Sequence, residues 1–515
     1  MTTSNISSPN SNNTGTPTKN SETIINDSQI IVDVDDVDVS VLPEDEDDLI
    51  GSQKEEDQEH TNENSGDNVN NNPILSLHTS LLHASILASN YSLTPKVAIT
   101  TANSGINSLQ LSKNYNYLFL GGDDGFLRKY NFLKTLKGDA PLTIQQKHFV
   151  VDGIFNNGFI VSYTPNEVLQ PKSKIKFASV NNNEEYYPLK SRVLGMDIHS
   201  ECHFGLLGQE NGDVLLQGVR YKEGKIYHVF KEEDNVGLNN FVKLNNDEDQ
   251  FFASGFFDKN IRLYDLNNGE LKLKRLIGDS QLSNIEFRPI HGVPLKNDDM
   301  NESDIDMLFE EEDDEEEDDE GEDLKEGDKK IYDDYINPNT LKSKFDENVL
   351  LTSQLNGKTY VYDLRVSDHN SDSRPMLSLL KADETPPWAV NSCWSFSGNN
   401  VFVGRRNASV EQFDIRNISK PEKIIKFPKK SGEITCVRTL PNDNKLICAS
   451  IDNIRIYDLE NDKFTILPGH HGGYISNLYL DPTARFLITT SGNKGIITNS
   501  GVSTDLSFVY AIDNE

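Results

Sequence analysis

The chain has 515 residues, with 82 acidic against 49 basic side chains, a formal net charge of −33 and four cysteines. Cys202, Cys393, Cys436 and Cys448 are scattered without a Cys-x-x-Cys pair, which argues against a disulfide framework and fits a reducing compartment. No apolar run approaches the roughly 18 residues that span a bilayer, and the opening "MTTSNISSPN" lacks the regions of a secretory signal, so a soluble intracellular protein is expected.

The charge is unevenly placed. Residues 1–73 hold 17 acids against two lysines, a balance of −15, and residues 297–334 hold 22 against three, a balance of −19. The rest has 43 acids and 44 bases, a balance of +1. Residues 1–72 are rich in Asn, Ser, Thr, Asp and Glu. They cannot bury enough apolar area to offset chain entropy, so a disordered acidic tail is expected. Within it, "SQIIVDVDDVDVSVL" (Ser28–Leu42) alternates apolar and acidic residues, as plain tail or as a short interaction motif.

An amphipathic helix is expected over 73–92. Asn72 can cap it, Pro73 suits its first position, and Ile74, Leu77, Leu81, Leu82, Ile86 and Leu87 recur at helical spacing. It is either a brace on the following domain or a docking helix.

From about residue 93 to 515 the pattern is β. An apolar run, a turn, an alternating run and an aromatic or Gln near an acid recur. Copies are "YLFLGGDDGFLRKYN", "HFGLLGQENGDVLLQG", "FFASGFFDKNIRLYD", "VLLTSQLNGKTYVYD", "VFVGRRNASVEQFD", "LICASIDNIRIYD" and the looser "FLITTSGNKG…FVYAID". The aromatics Tyr362, Phe413 and Tyr457 stand 51 and 44 residues apart, close to the WD-type blade period of about 40–45. Asp124, Asn211, Asp258, Asn356 and Asn407 precede the aromatic position by six residues, as hairpin turn formers, and Asp452 plays that part in a shorter unit. One hairpin cannot bury its own face, whereas a closed ring of them can. The fold predicted is all-β, a seven-bladed WD-repeat β-propeller. "KVAITT" (Lys96–Thr101) is expected to supply the outer strand of the last blade.

Two spacings are roughly doubled, Tyr130 to Gln217 and Tyr264 to Tyr362. The second contains eleven consecutive carboxylates, Glu310 to Glu320. "LSNIEFRPI" (Leu282–Ile290) and "NVLLTSQL" (Asn348–Leu355) flank it with strand signals, so it is expected to be a disordered acidic loop insertion, about 295–345, inside blade four. Closing a longer surface loop costs little more than closing a short one.

Catalytic motifs are missing. There is no GxxxxGK[ST] loop, GxSxG or HExxH. His470 and His471 in "GHHGG" are adjacent, and neighbouring strand residues face opposite ways, so structural histidines are favoured over a metal site. The carboxylate run lacks the Gly and ligand spacing of an EF-hand. No cofactor and no enzyme activity are expected. A neutral body with acidic appendages repels phosphates, so direct sequence-specific DNA binding is not expected. "KFPKKSG" (Lys426–Gly432) is a basic spot too short to nominate a nucleic-acid site.

The candidates for partner contact are of two kinds. "TPPWAVNSCW" places Trp388 in a loop between blades four and five, and "GRRNAS" places Arg405 and Arg406 in the hairpin turn of blade five, at the same rim. Trp and Arg are enriched at binding hot spots. The alternative is that Trp388 packs between blades and the arginines bind neighbouring carbonyls. The second kind is the acidic run itself, Glu310, Glu311, Glu312, Asp313, Asp314 and Glu315 among it, as a lure for a basic partner or a solvated insertion.

The copies in blades one, five and six, with "GHHGGYISNLYLDPTARFLITTSGNKG" and "LQGVRYKEG", carry a more specific likeness. Over roughly residues 74–515 the chain resembles the WD-repeat subunits of the fungal SAGA transcription coactivator complex, in the suppressor-of-Ty group. The resemblance implies a nuclear, non-catalytic subunit that works with other SAGA subunits, contacts the TATA-binding protein and regulates its delivery to promoters. One departure is Ile496, where the family tends to place a Trp after the Gly corresponding to Gly495. The alternative function is a propeller that reads histones or peptides, or a histone-chaperone-like scaffold, with the acidic segments facing histones.

Overall fold

In the computed structural model, residues 73–514 are described, apart from 102–103, 139–157, 171–172, 174, 181–182, 232–236, 294, 296–333, 367–373, 471–472 and 493–504. The acidic tail, Ser28–Leu42, Glu310–Glu320, His471 and Gly495–Ile496 lie outside the described residues.

Seven four-stranded antiparallel sheets form the blades of a β-propeller. Their strands fall within 106–165, 196–230, 239–276, 282–379, 389–426, 434–467 and 475–514, blades 1 to 7. Blade 7 takes its outermost strand from the start of the domain, where Tyr91–Thr100 pairs antiparallel with Leu506–Asn514. The two ends of the domain are thereby stitched together, as the strand-like "KVAITT" led one to expect.

Each repeated copy is the middle hairpin of a blade. The second strand is buried along nearly its whole length, as in Lys445–Ser450 and Asn400–Arg405. The third strand is also largely buried, as in Thr359–Asp363 and Ser409–Asp414, and its aromatic packs between blades. Tyr264 lies with Leu206 and Val214 of blade 2, and Phe413 with Val349, Leu351 and Val361 of blade 4. Burying each such side chain contributes about 1.5–3 kcal/mol. The turn chemistry is shared between two positions. The Asp or Asn bonds its own backbone, as when Phe126 N donates to Asp124 and Lys358 N to Asn356. The next residue takes the left-handed conformation: Gly125, Gly212, Lys259, Gly357 and Ala408.

The doubled spacings are insertions at different places. In blade 1 the short helix Phe132–Lys137 follows the third strand, and the outermost strand, Ile160–Pro165, comes later. A two-stranded hairpin, Lys176–Val180 with Asn183–Tyr187, precedes blade 2. In blade 4 the innermost strand Leu282–Pro289 pairs with Phe345–Gln354, so the acidic run joins two neighbouring strands of one blade. The expected bounds of that insertion need correction. Residues 334–345 are structured, with Ile336 and Leu341 buried.

Candidate interaction site

The propeller has two rims. One carries the turns between second and third strands and the links between blades, here the hairpin rim. The other carries the connections between first and second strands.

On the hairpin rim, the link between blades 4 and 5 brings Trp388 against Arg406, whose guanidinium carbon lies 3.9 Å from the indole centroid. Trp388 is 37% exposed and has φ +92°. A non-Gly residue in that region costs on the order of 1–3 kcal/mol and persists only when its surroundings over-determine it. The surroundings are visible. Gly357, in the turn of blade 4, runs so close to Pro387 that a Cβ added there would lie 3.0 Å from the Pro387 Cα. On the other side, Lys381 Nζ donates to Thr385 O at 2.8 Å and Thr385 N donates to Ala382 O at 3.0 Å.

Of the two readings of Arg405, a surface contact or a partner to neighbouring carbonyls, the structure fits the second. Arg405 is fully buried. Its Nε and Nη2 donate to Glu411 Oε2 at 2.9 and 2.6 Å, and its Nη1 donates to Gly357 O at 2.8 Å. Glu411 in turn accepts from Ala382 N at 3.2 Å. Burial pushes the Arg405 guanidinium down from its ordinary value, and Glu411 opposes that shift. The physical reason for the burial is its counter-charge. Blades 1, 3 and 6 pair a turn aspartate with an arginine on the third strand, Asp124–Arg128, Asp258–Arg262 and Asp452–Arg455. Blade 5 reverses the polarity, with arginine on the second strand and glutamate on the third. Arg405 is thus a positioning residue that ties the blade 4 turn and the blade 4–5 link beneath Trp388.

The innermost strands enclose a channel cavity of about 270 Å³, lined among others by Gln110, Asn240, Lys243, Asn284, Arg438 and Tyr479. Arg438 pairs with Glu286 at 3.2 Å, and burial pushes the Lys243 ammonium down. Among the described residues, no cluster of His, Cys, Asp and Glu has metal-binding geometry. His470 is buried, with Nε2 2.7 Å from Thr489 Oγ1. The four cysteines are buried free thiols. No described helix is long and apolar enough to cross a membrane.

The opposite rim is covered by two elements. The N-terminal helix runs Pro73–Ile86 and buries Leu82 with Ile336, Leu341 and Phe396. Of the predicted apolar stripe, Leu82 is buried and Ile86 packs partly against this cluster, whereas Ile74, Leu77 and Leu87 stay exposed. The helix thus packs on the domain through one face, and the strand Tyr91–Thr100 begins before the predicted helix end. The returning leg of the blade 4 insertion, 334–344, is pinned by Lys342. Its Nζ lies 2.8 Å from Glu248 Oε1 and 3.4 Å from Asp197 Oδ1, and donates to Ile198 O at 2.7 Å. Leu75, two residues into the helix, and Tyr335, just past residue 333, pack on the same cluster. The points of attachment of the two acidic segments therefore converge on one rim, away from Trp388.

Trp388 and Arg406 thus meet at the rim where the sequence placed them, Arg405 follows the alternative of binding a neighbouring carbonyl, and Glu310, Glu311, Glu312, Asp313, Asp314 and Glu315 lie outside the described residues. Sequence reasoning missed Glu411 and Lys342. The signal for Glu411 was the Asp-to-Arg pattern of the other blades, reversed in blade 5. Lys342 offered none, since its partners lie about 94 and 145 positions away.

Comparison with known proteins agrees with this architecture. The family model described as SPT8 beta propeller matches residues 91–513. The SAGA complex subunit SPT8 of Saccharomyces cerevisiae is 39% identical over 471 residues, covering 86% of this chain and 76% of that protein. The SAGA complex subunit Spt8 of Schizosaccharomyces pombe is 31% identical over 450 residues, covering 82% of this chain and 80% of that protein. The chain belongs to the SPT8 family of WD-repeat propellers.

Proposed function

We propose that this chain is a non-catalytic, nuclear subunit of a SAGA-type coactivator complex that binds the TATA-binding protein and regulates its delivery to promoters in RNA polymerase II transcription. The observation that carries this is family membership across the whole propeller, from strand Tyr91–Thr100 to strand Leu506–Asn514. Both relatives are named as SAGA complex subunits.

The acidic segments supply the electrostatics. Their charge of −15 and −19 is attached at one rim of a body near neutrality. Such a field raises the encounter rate with a basic, DNA-binding partner and fades as salt screens it. Glu310, Glu311, Glu312, Asp313, Asp314 and Glu315 are the proposed lure. The same charge suits histones, which is the second reading. Pull-down of purified full-length chain against the TATA-binding protein and core histones separates the two. Binding of the TATA-binding protein, with an association rate that falls on deleting residues 297–330, supports the proposal. Selective capture of histones contradicts it.

A further inference from the structure

We propose that the hairpin rim of blades 5 and 6 is a docking surface for an acidic peptide segment of a partner, held by Trp388, Arg406, Lys426, Lys429 and Lys430. This surface lies on the rim opposite the one where the acidic segments are attached.

The rim is assembled from three adjoining pieces. Arg406 lies in the blade 5 turn, stacked on Trp388. Lys426 ends the outer strand of blade 5, paired with Ser409, and Phe427 N donates to Ala408 O at 2.8 Å, joining this stretch to the Arg406 turn. The short 3-10 turn Lys429–Ser431 follows, and Ser431 Oγ donates to Asp452 of blade 6 at 3.1 Å. Arg406, Lys426, Lys429 and Lys430 are all exposed. Among the described residues, none of the four is in an ion pair. Two carboxylates of these blades are held by other cations, Glu411 by Arg405 and Asp452 by Arg455, and Glu433, which follows the Lys429–Ser431 turn, is buried. The exposed acids of the neighbouring link are Asp383 and Glu384, on its blade 4 side.

An exposed indole stacked by Arg406, with three exposed lysines on the adjoining stretch, defines the chemistry of the occupant. Guanidinium takes a carboxylate in a bidentate fork, lysines add point charges, and the indole offers an apolar face. The indole is preorganised by the left-handed backbone at Trp388 and by the Arg405–Glu411 lock beneath it, so little ordering is lost on binding. An acidic peptide with interspersed apolar side chains matches both features.

The test uses the full-length chain and a fluorescein-labelled peptide alternating Glu, Asp and Leu. A Lys-Leu peptide and a single-stranded oligonucleotide serve as comparisons. The chain's own acidic stretches are present in every variant, so variants are read against one background. Two tryptophans are present and Trp394 is 3% exposed, so a change in the exposed-tryptophan emission reports Trp388. The expected result is binding of the acidic peptide with a blue shift in emission. Affinity should fall about tenfold or more in the Arg406→Glu, Lys429→Glu, Lys430→Glu variant and in Trp388→Gly, with thermal unfolding unimpaired in both. Unchanged affinity in the charge-reversed variant, or equal binding of the Lys-Leu peptide, overturns the proposal. Tighter binding of the oligonucleotide with the same residue dependence assigns the rim to nucleic acid instead, and overturns it too.

Discussion

Arg406 stacks on Trp388 at 3.9 Å, while the adjacent Arg405 is sealed beneath them against Glu411 at 2.6 Å. Two consecutive arginines therefore have opposite duties, one facing solvent and one fixing the frame. Arg405→Ala leaves Glu411 buried without its counter-charge, which costs about 3–5 kcal/mol. Arg406→Ala removes an exposed cation–π contact, worth about 0.5–1 kcal/mol. Chemical denaturation of the two variants should show this gap, and equal losses would contradict the assignment.

Trp388 holds φ +92°, a conformation that glycine adopts without penalty. Trp388→Gly removes a large side chain and relieves the backbone at the same time. Its midpoint of thermal unfolding should stay level or rise. A clear fall would mean that the indole is chiefly a packing element.

The opposite rim depends on Leu82 and Lys342. Leu82→Ala opens the cluster with Ile336, Leu341 and Phe396 and should cost about 2–5 kcal/mol. Lys342→Ala leaves Asp197 and Glu248 without their shared cation and should cost about 1.5–3 kcal/mol. In both variants, hydrogen exchange should speed up in 73–86 and 334–344 before the blades themselves. Exchange that rises evenly over all seven blades would argue against a separately docked cap.

The helix should also respond to acid. His78 is buried with its ring 5.7 Å from Tyr115, and its Nδ1 has no hydrogen-bond partner. Burial holds its imidazole below the ordinary value of 6.5, with Asp481 pulling the other way. The folded state thus resists a proton that the unfolded state accepts. The stability is present above pH 6.5 and is lost as pH falls below it. Burial raises the Asp481 carboxyl, so its contribution has the opposite sign. His199 and His291 are also lowered by burial and add to the global trend. Helix protection, corrected for intrinsic exchange, should therefore fall between pH about 7.5 and about 5.5, and His78→Phe should flatten the fall. An identical slope in that variant would remove His78 as the cause.

The repeat was legible because hairpins write themselves locally. A run buried on both faces, an Asp or Asn turn and an alternating strand are all short-range patterns, and closure by Tyr91–Thr100 follows from the strand count. The wide spacing from Tyr130 to Gln217 was not legible in the same way. The helix Phe132–Lys137 and the hairpin over 176–187 lie outside the repeat, so its period says nothing of them. Arg405 and Arg406 look alike in sequence because burial in a turn is decided by a neighbour, here Glu411 across the hairpin. The ordered leg at 334–344 was hidden because Ile336 and Leu341 are isolated apolar residues whose partners come from the helix and from blade 5.

The central claim is best tested by mass spectrometry of what co-purifies with the tagged, full-length chain from nuclear extract. The expected result is SAGA subunits in near-constant proportion, with the TATA-binding protein recovered in a salt-sensitive amount. Recovery of core histones without SAGA subunits would contradict it.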